Sequence, residues 1–233
     1  MRLGQGIHLA ADALPAAEKP ADQKATEFAH DYLKSLILDL AVEPGTIVTE
    51  MSVAHATGLS RTPIREALLR LHEERLVELL PRRGALVSWI TARQVRELYE
   101  VRQLLEGRAI EIICADRVPV ADKLAELCDR QEELDRSGAP VGELIRVDRQ
   151  FHSLLISSTG NSVLEMINES LGDHHQRTGV MSFTLDRSRC ATAVGQHRDL
   201  ARALKSFDAD AAQAALEQHL VVGERSLELL LHP

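Results

Sequence analysis

Asp148 and His152 stand four residues apart in the run Asp148-Arg149-Gln150-Phe151-His152. On a helix, that spacing puts a carboxylate and an imidazole on one face, where both can converge on one cation. Two further histidines follow in helical patterns: His197 in Gly195-Gln196-His197-Arg198-Asp199-Leu200, and His219 in Leu216-Glu217-Gln218-His219-Leu220. Three neutral imidazoles and one carboxylate, with no thiolate, suit a divalent transition metal, zinc first, then nickel, iron or manganese. A divalent ion with one carboxylate ligand keeps a charge of about +1. An octahedral shell leaves positions for water or a bidentate carboxylate such as a 2-hydroxy acid. Blander roles fit the same residues. Asp-x-x-x-His is equally a local hydrogen bond, and spacing alone leaves open whether His197 and His219 meet the other pair.

A second chemistry is carried by guanidinium groups. Arg61 and Arg65 lie one turn apart beside an apolar stripe, in Leu59-Ser60-Arg61-Thr62-Pro63-Ile64-Arg65-Glu66-Ala67-Leu68. Either can make a bidentate pair with the O6 and N7 atoms of guanine. Ser60 and Thr62 sit where a helix start presents its N–H groups, a natural phosphate position. Further on, Arg82 and Arg83 form a basic tip, with Gly84 permitting close approach to a minor groove or backbone. The formal net charge of -8 looks wrong for a DNA binder. Its distribution does not: residues 61–83 hold six arginines against four glutamates, a local +2 that leaves -10 for the rest.

These side chains need a frame. The chain has 233 residues, 45% of them hydrophobic but only 3% aromatic, and its Leu, Ala, Glu and Arg favour helix over sheet. The first 23 residues carry no period and read as a mobile arm. A helix is expected over 24–40, ended by Pro44-Gly45, then a short one capped by Thr49 and stopped by Gly58. The Arg61 helix follows, with Ser60 or Thr62 as its cap and Pro63 in its first turn. Residues 76–80 and 85–89 then read as a hairpin around Pro81-Arg82-Arg83-Gly84. That is the order of a winged helix-turn-helix over 24–90, whose second paired helix enters the major groove.

From Thr91 to residue 233 only helical patterns occur. Breaks at Val118-Pro119, 137–140, 159–161, Thr178-Gly179 and Phe207-Asp208 give about six helices in an antiparallel bundle. No apolar run approaches the roughly 18 residues of a membrane span. Asp12, Glu18 and Asp22 interrupt any secretory signal. Three cysteines outside any C-x-x-C pair fit free thiols in a reducing cytoplasm. Asp173-His174-His175 matches a phosphoesterase tripeptide, without the preceding strand or the further aspartate pairs such a site needs.

The stretch Leu59–Leu86, with Ser-Arg-Thr-Pro-Ile-Arg-Glu-Ala-Leu and Arg-Arg-Gly-Ala-Leu-Val, resembles the GntR superfamily of transcription regulators. By that resemblance Arg61 and Arg65 contact bases, Thr62 a phosphate, and Gly84 forms the wing tip. Met51 departs from the pattern, standing where members often carry arginine, which implies a different operator. Residues 91–232 resemble the FCD effector domain of the FadR-type branch, through Asp-x-x-Phe-His, a Gln-His-Arg segment and a histidine in the final helix. The resemblance implies that Asp148, His152, His197 and His219 are the metal ligands and that Arg102 binds the effector. Gln196 occupies a position where glutamate is commoner.

Together these readings imply a homodimeric repressor of double-stranded operator DNA, with no membrane partner and no enzymatic activity. Its affinity would be set by a small carboxylate or sugar acid at the metal. Two alternatives are a metal-dependent hydrolase, in which the ion activates water, and a regulator that senses the metal alone.

Overall fold

The computed structural model describes the backbone of residues 7–8 and 13–231. It comprises two compact units, Met1–Ile90 and Thr91–Pro233.

The first unit runs β1 (Ile7–His8), α1 (Ala25–Leu38), β2 (Thr46–Val48), α2 (Glu50–Thr57), α3 (Arg61–Glu73), β3 (Val77–Leu80) and β4 (Gly84–Val87). Ile64, Ala67, Leu68 and Leu71 recur at i, i+3, i+4 and i+7, so α3 buries one face. That face meets Leu33 and Ile37 of α1, Val53 of α2, and the inward Ala85 and Val87 of β4 in a single core. Thr49 and Ser52 form a reciprocal capping box at the start of α2, and Gly58 ends the helix in the left-handed conformation (φ 68°). Only three residues, 58–60, thus separate α2 from α3.

The sheet order is β1-β2-β4-β3, with β4 antiparallel to both neighbours and β1 parallel to β2. Strand β2 was not expected. All three of its residues are buried, so it shows no alternation, and three residues are too few to display a period. The arm reading needs correction over residues 13–23. Leu14 is 5% exposed and joins the core, the Ala17 N–H donates to the Ala56 carbonyl, and the Tyr32 hydroxyl donates to the Pro15 carbonyl (2.6 Å). Residues 1–6 and 9–12, the rest of that expectation apart from β1, lie outside the described residues.

The second unit contains α4 (Ala92–Asp116), α5 (Ala121–Arg136), α6 (Val141–Ser157), α7 (Ser162–Leu185), α8 (Arg189–Lys205) and α9 (Ala209–Leu231). Thr91 and Gln94 cap α4 reciprocally, and the Asn161 side chain accepts from the first N–H groups of α7. Helix α4 packs on α9, α5 on α6 and α8, α6 on α7, and α8 on α9, an antiparallel bundle joined by short loops. The break expected at Thr178-Gly179 is absent, because α7 continues to Leu185. Gly179 serves helix packing instead: a Cβ there would meet Ile145 of α6 at 2.9 Å. The real break falls at 186–188.

Candidate metal centre and nucleic-acid interface

Inside the bundle, α6 contributes Asp148 and His152, α8 contributes His197, and α9 contributes His219. All four are buried. The Nε2 atom of His197 lies 3.2 Å from Nε2 of His152 and 3.3 Å from Nε2 of His219. Carboxylate oxygens of Asp148 stand 3.8 Å from His152 Nε2 and 3.7 Å from His197 Nε2. Nitrogen atoms about 2.1 Å from a shared ion stand about 3.0 Å apart at right angles and about 3.4 Å apart at the tetrahedral angle. The three imidazoles therefore already have ligand spacing.

Their tautomers are fixed from behind. His152 Nδ1–H donates to Oε2 of Glu106 (2.6 Å), and a carboxylate can only accept, so Nε2 of His152 carries the lone pair. His219 Nδ1–H donates to Oε1 of Gln196 (3.1 Å), with the same result. Phe151 stacks on His197 at 4.2 Å between ring centres, whose own Nδ1 is buried without a hydrogen-bond partner. Burial holds His197 down to about 3 against the attraction of Asp148, and pushes His219 well below the usual histidine range. Both rings are neutral near pH 7, as metal ligands must be. Asp148 is the reverse: burial works to raise it, but the hydrogen bond from His175 and the neighbouring imidazoles hold it well below the carboxylate range.

Sequence reasoning missed two participants, Glu106 and His175, and named Gln196 without a role. Glu106 and Gln196 hydrogen-bond His152 and His219 across helix interfaces, a role without spacing. His175 of α7 donates from Nε2 to Asp148 Oδ2 (3.0 Å) and forms with Asp148 and His152 a second group that shares His152 with the three histidines, so the tripeptide set aside as a failed phosphoesterase match supplies a residue beside the centre. The available signal was helical register: α7 is long and carries histidine opposite α6. Burial, seconded by the Arg102 charge, lowers His175 to about 4. Arg102 sits one α4 turn before Glu106 and donates from Nε to its Oε1 (2.9 Å), while Nη2 of Arg102 is buried with no partner. A single carboxylate thus bonds both Arg102 and His152. Burial raises Glu106, yet the attraction and hydrogen bonds of His152 and Arg102 hold it below its ordinary value.

In the first unit, the start of α3 and the hairpin enclose a groove of about 620 Å³, lined among others by Glu50, Met51, Arg61, Arg65, Arg82 and Arg83. The four arginines expected to meet DNA therefore share one surface, and all are exposed. Arg65 is held by a two-point pair with Glu50 (2.9 and 3.3 Å). Ser60 occupies the cap position of α3 without a side-chain capping bond, and Thr62 is exposed beside it. Gly84 has a packing role of its own. At φ 111° a Cβ would collide with the Val48 carbonyl oxygen, so glycine here lets β4 lie against β2.

A winged helix-turn-helix beside a helical unit with a polar interior defines a ligand-responsive DNA-binding regulator. Residues 97–221 match the FCD domain, and residues 25–87 match the bacterial regulatory proteins of the gntR family. The chain belongs to the GntR family of transcription regulators, in the group that carries an FCD domain. It is similar to the uncharacterized HTH-type transcriptional regulator YdhC of Bacillus subtilis (strain 168), at 28% identity over 195 residues, 82% of this chain and 85% of that one. It is also similar to the HTH-type transcriptional repressor RspR of Escherichia coli (strain K12), 28% identical over 202 residues, 85% of this chain and 86% of that one. Among solved structures, E. coli McbR/YncC superposes with a TM-score of 0.72 over 89% of this chain and 99% of that one, at 22% identity, a likeness of fold. The family consists of regulators, not enzymes, which removes the hydrolase alternative. Among the described residues, no helix is long and apolar enough to cross a membrane.

Proposed function

We propose that this chain is an operator-binding repressor whose helical unit holds a divalent transition metal, zinc first, through Asp148, His152, His197 and His219. A small carboxylate or sugar acid binds beside it as the effector. The observation that carries this reading is the approach of His197 Nε2 to within 3.3 Å of Nε2 of both His152 and His219, while the opposite nitrogens of those two rings are tied to Glu106 and Gln196. A shared cation satisfies the lone pairs that this arrangement crowds together. When bound, the ion supplies a positive anchor for an anion. The chain supplies the rest: Glu106 orients His152 and Arg102 together, and the unpartnered Nη2 of Arg102 donates to the effector carboxylate.

On the DNA side, Arg61 and Arg65 read bases, Ser60 and Thr62 meet phosphate, and Arg82 and Arg83 reach from the wing. Glu50 holds Arg65 in an extended pose ahead of binding. Met51, 64% exposed in the same groove, offers an apolar contact suited to a thymine methyl where relatives offer a guanidinium. A two-fold operator and a homodimer follow from half-sites about one helical turn apart.

The experiment is fluorescence anisotropy on the gene's own upstream DNA, with metal-analysed protein and a panel of small carboxylates. Tight salt-sensitive binding, weakened about 5–150-fold by one acid in the zinc form only, is the expected result. Arg65→Ala loses about 1–3 kcal/mol of specific affinity. A response to zinc with no acid points to the metal-only sensor, and binding without salt dependence overturns the DNA assignment.

A further inference from the structure

A second arginine faces the same interior. Between α4, α6 and α7 lies a cavity of about 150 Å³, lined by Arg102, Arg149, Ser153, Asn168, Glu169 and His175 among others. A cavity of that volume takes up a benzene-sized molecule. His175 joins it to the candidate metal centre, since the same ring lines the cavity and donates to Asp148. The inner wall carries the buried, unpartnered Nη2 of Arg102.

Arg149 follows Asp148 directly but leaves α6 on the α7 side. Its guanidinium lies over the backbone of Gly172, where any Cβ would collide with Nη2. Glycine at 172 thus makes the room Arg149 occupies. Burial works to lower Arg149, and the attraction that opposes this comes from Asp173. On the cavity lining, the Asn168 amide donates to the Ser153 hydroxyl (3.2 Å), a neutral polar wall. Glu169 is exposed and lines the same cavity, where its charge repels a further carboxylate.

From this arrangement we infer that the effector is a short dicarboxylate, a hydroxy-dicarboxylate fitting best, with one carboxylate at Arg102 and the metal and the other on Arg149. Arg149 is the specificity determinant that separates such dianions from monocarboxylates of equal length. The inference rests on the metal-and-effector reading above and adds the second anionic group to it. Two guanidinium groups lining so small a space, one from α4 and one held against Gly172 of α7, leave a monoanion with one of them unanswered. Charge-assisted hydrogen bonds make that difference about 10- to 100-fold in affinity.

The test is calorimetry on the zinc-loaded full-length protein with malate and with 2-hydroxybutyrate, which replaces the distal carboxylate by a methyl group. Malate is expected to bind at least about tenfold more tightly. Arg149→Gln should collapse that preference to about twofold, and Gly172→Ala, which pushes the guanidinium aside, should reduce it by a smaller factor. The zinc-induced rise in melting temperature, kept in both variants, verifies that they fold. Equal affinity for the two acids, or a preference that survives Arg149→Gln, overturns the assignment of Arg149 and leaves the metal-and-effector reading standing. Failure of malate to bind the zinc-loaded protein overturns the dicarboxylate, and unaltered zinc binding on loss of His197 brings down the underlying reading as well.

Discussion

His152 and Arg65 are each held by a glutamate, and the surroundings make the two pairs different objects. The His152–Glu106 pair is buried, with side chains 2% and 1% exposed, and Glu106 is bonded on its other side to Arg102. The Arg65–Glu50 pair is open, with side chains 68% and 26% exposed. In the interior an unmatched charge or lone pair has no water to fall back on, so each polar atom must be answered by another. At the surface the same contact is worth little, because water and salt compete for both partners. Glu50 can therefore release Arg65 to a base edge at small cost, whereas Glu106 cannot release His152 without leaving a buried charge. The helical unit is built to keep its geometry, and the groove proposed to read DNA to exchange partners.

The sharpest way to break this contrast is to remove a buried ligand. With free zinc about 1,000 times its dissociation constant, binding stabilises the helical unit by about 4 kcal/mol, a rise in melting temperature of about 10 °C. His197→Ala should abolish the rise, and a chelator should reverse it in the parent; an equal rise in the variant would remove His197 from the ligand set. Next in size, Gly84→Ala should cost the winged unit about 3 kcal/mol, from strain at positive φ and collision with Val48, visible as earlier unfolding of that unit with the zinc response intact. Gln196→Leu takes away the acceptor for His219 Nδ1–H and should weaken zinc about 10- to 100-fold in competition with a chromophoric chelator, whereas Gln196→Glu should strengthen it. The smallest effect belongs to the surface: Arg65→Ala should shift stability by less than about 0.5 kcal/mol despite its loss of operator affinity. A large drop in melting temperature there would mean that the exposed pair is structural after all.

What the sequence disclosed follows the same division. Helices α1 and α3 were legible because their apolar residues repeat on one face, and the hairpin because basic and glycine residues interrupt two short apolar runs. Asp148 and His152 were legible as one turn of one helix. Their convergence with His197 and His219 depends on how α8 and α9 pack against α6, which no local spacing records. Glu106 and His175 were harder still, since each acts across a helix interface and carries no motif of its own, and Gln196 was visible beside His197 while its bond to His219 was not. Strand β2 was too short and too uniformly buried to announce itself. Gly179 read as a break because glycine's low helix propensity was weighed without the Ile145 side chain that occupies its missing Cβ.

The carboxylate of Glu106 has one further meaning. Its two oxygens are spoken for by different clients, a guanidinium on the same helix and a ring on another, so displacement toward either is felt by both. Thermodynamic reciprocity then requires that whatever an acid does to zinc affinity through this link, zinc does in equal measure to the acid. Under the proposed function, removing the metal would therefore weaken the response to the acid by the same factor by which the acid alters the hold on the metal.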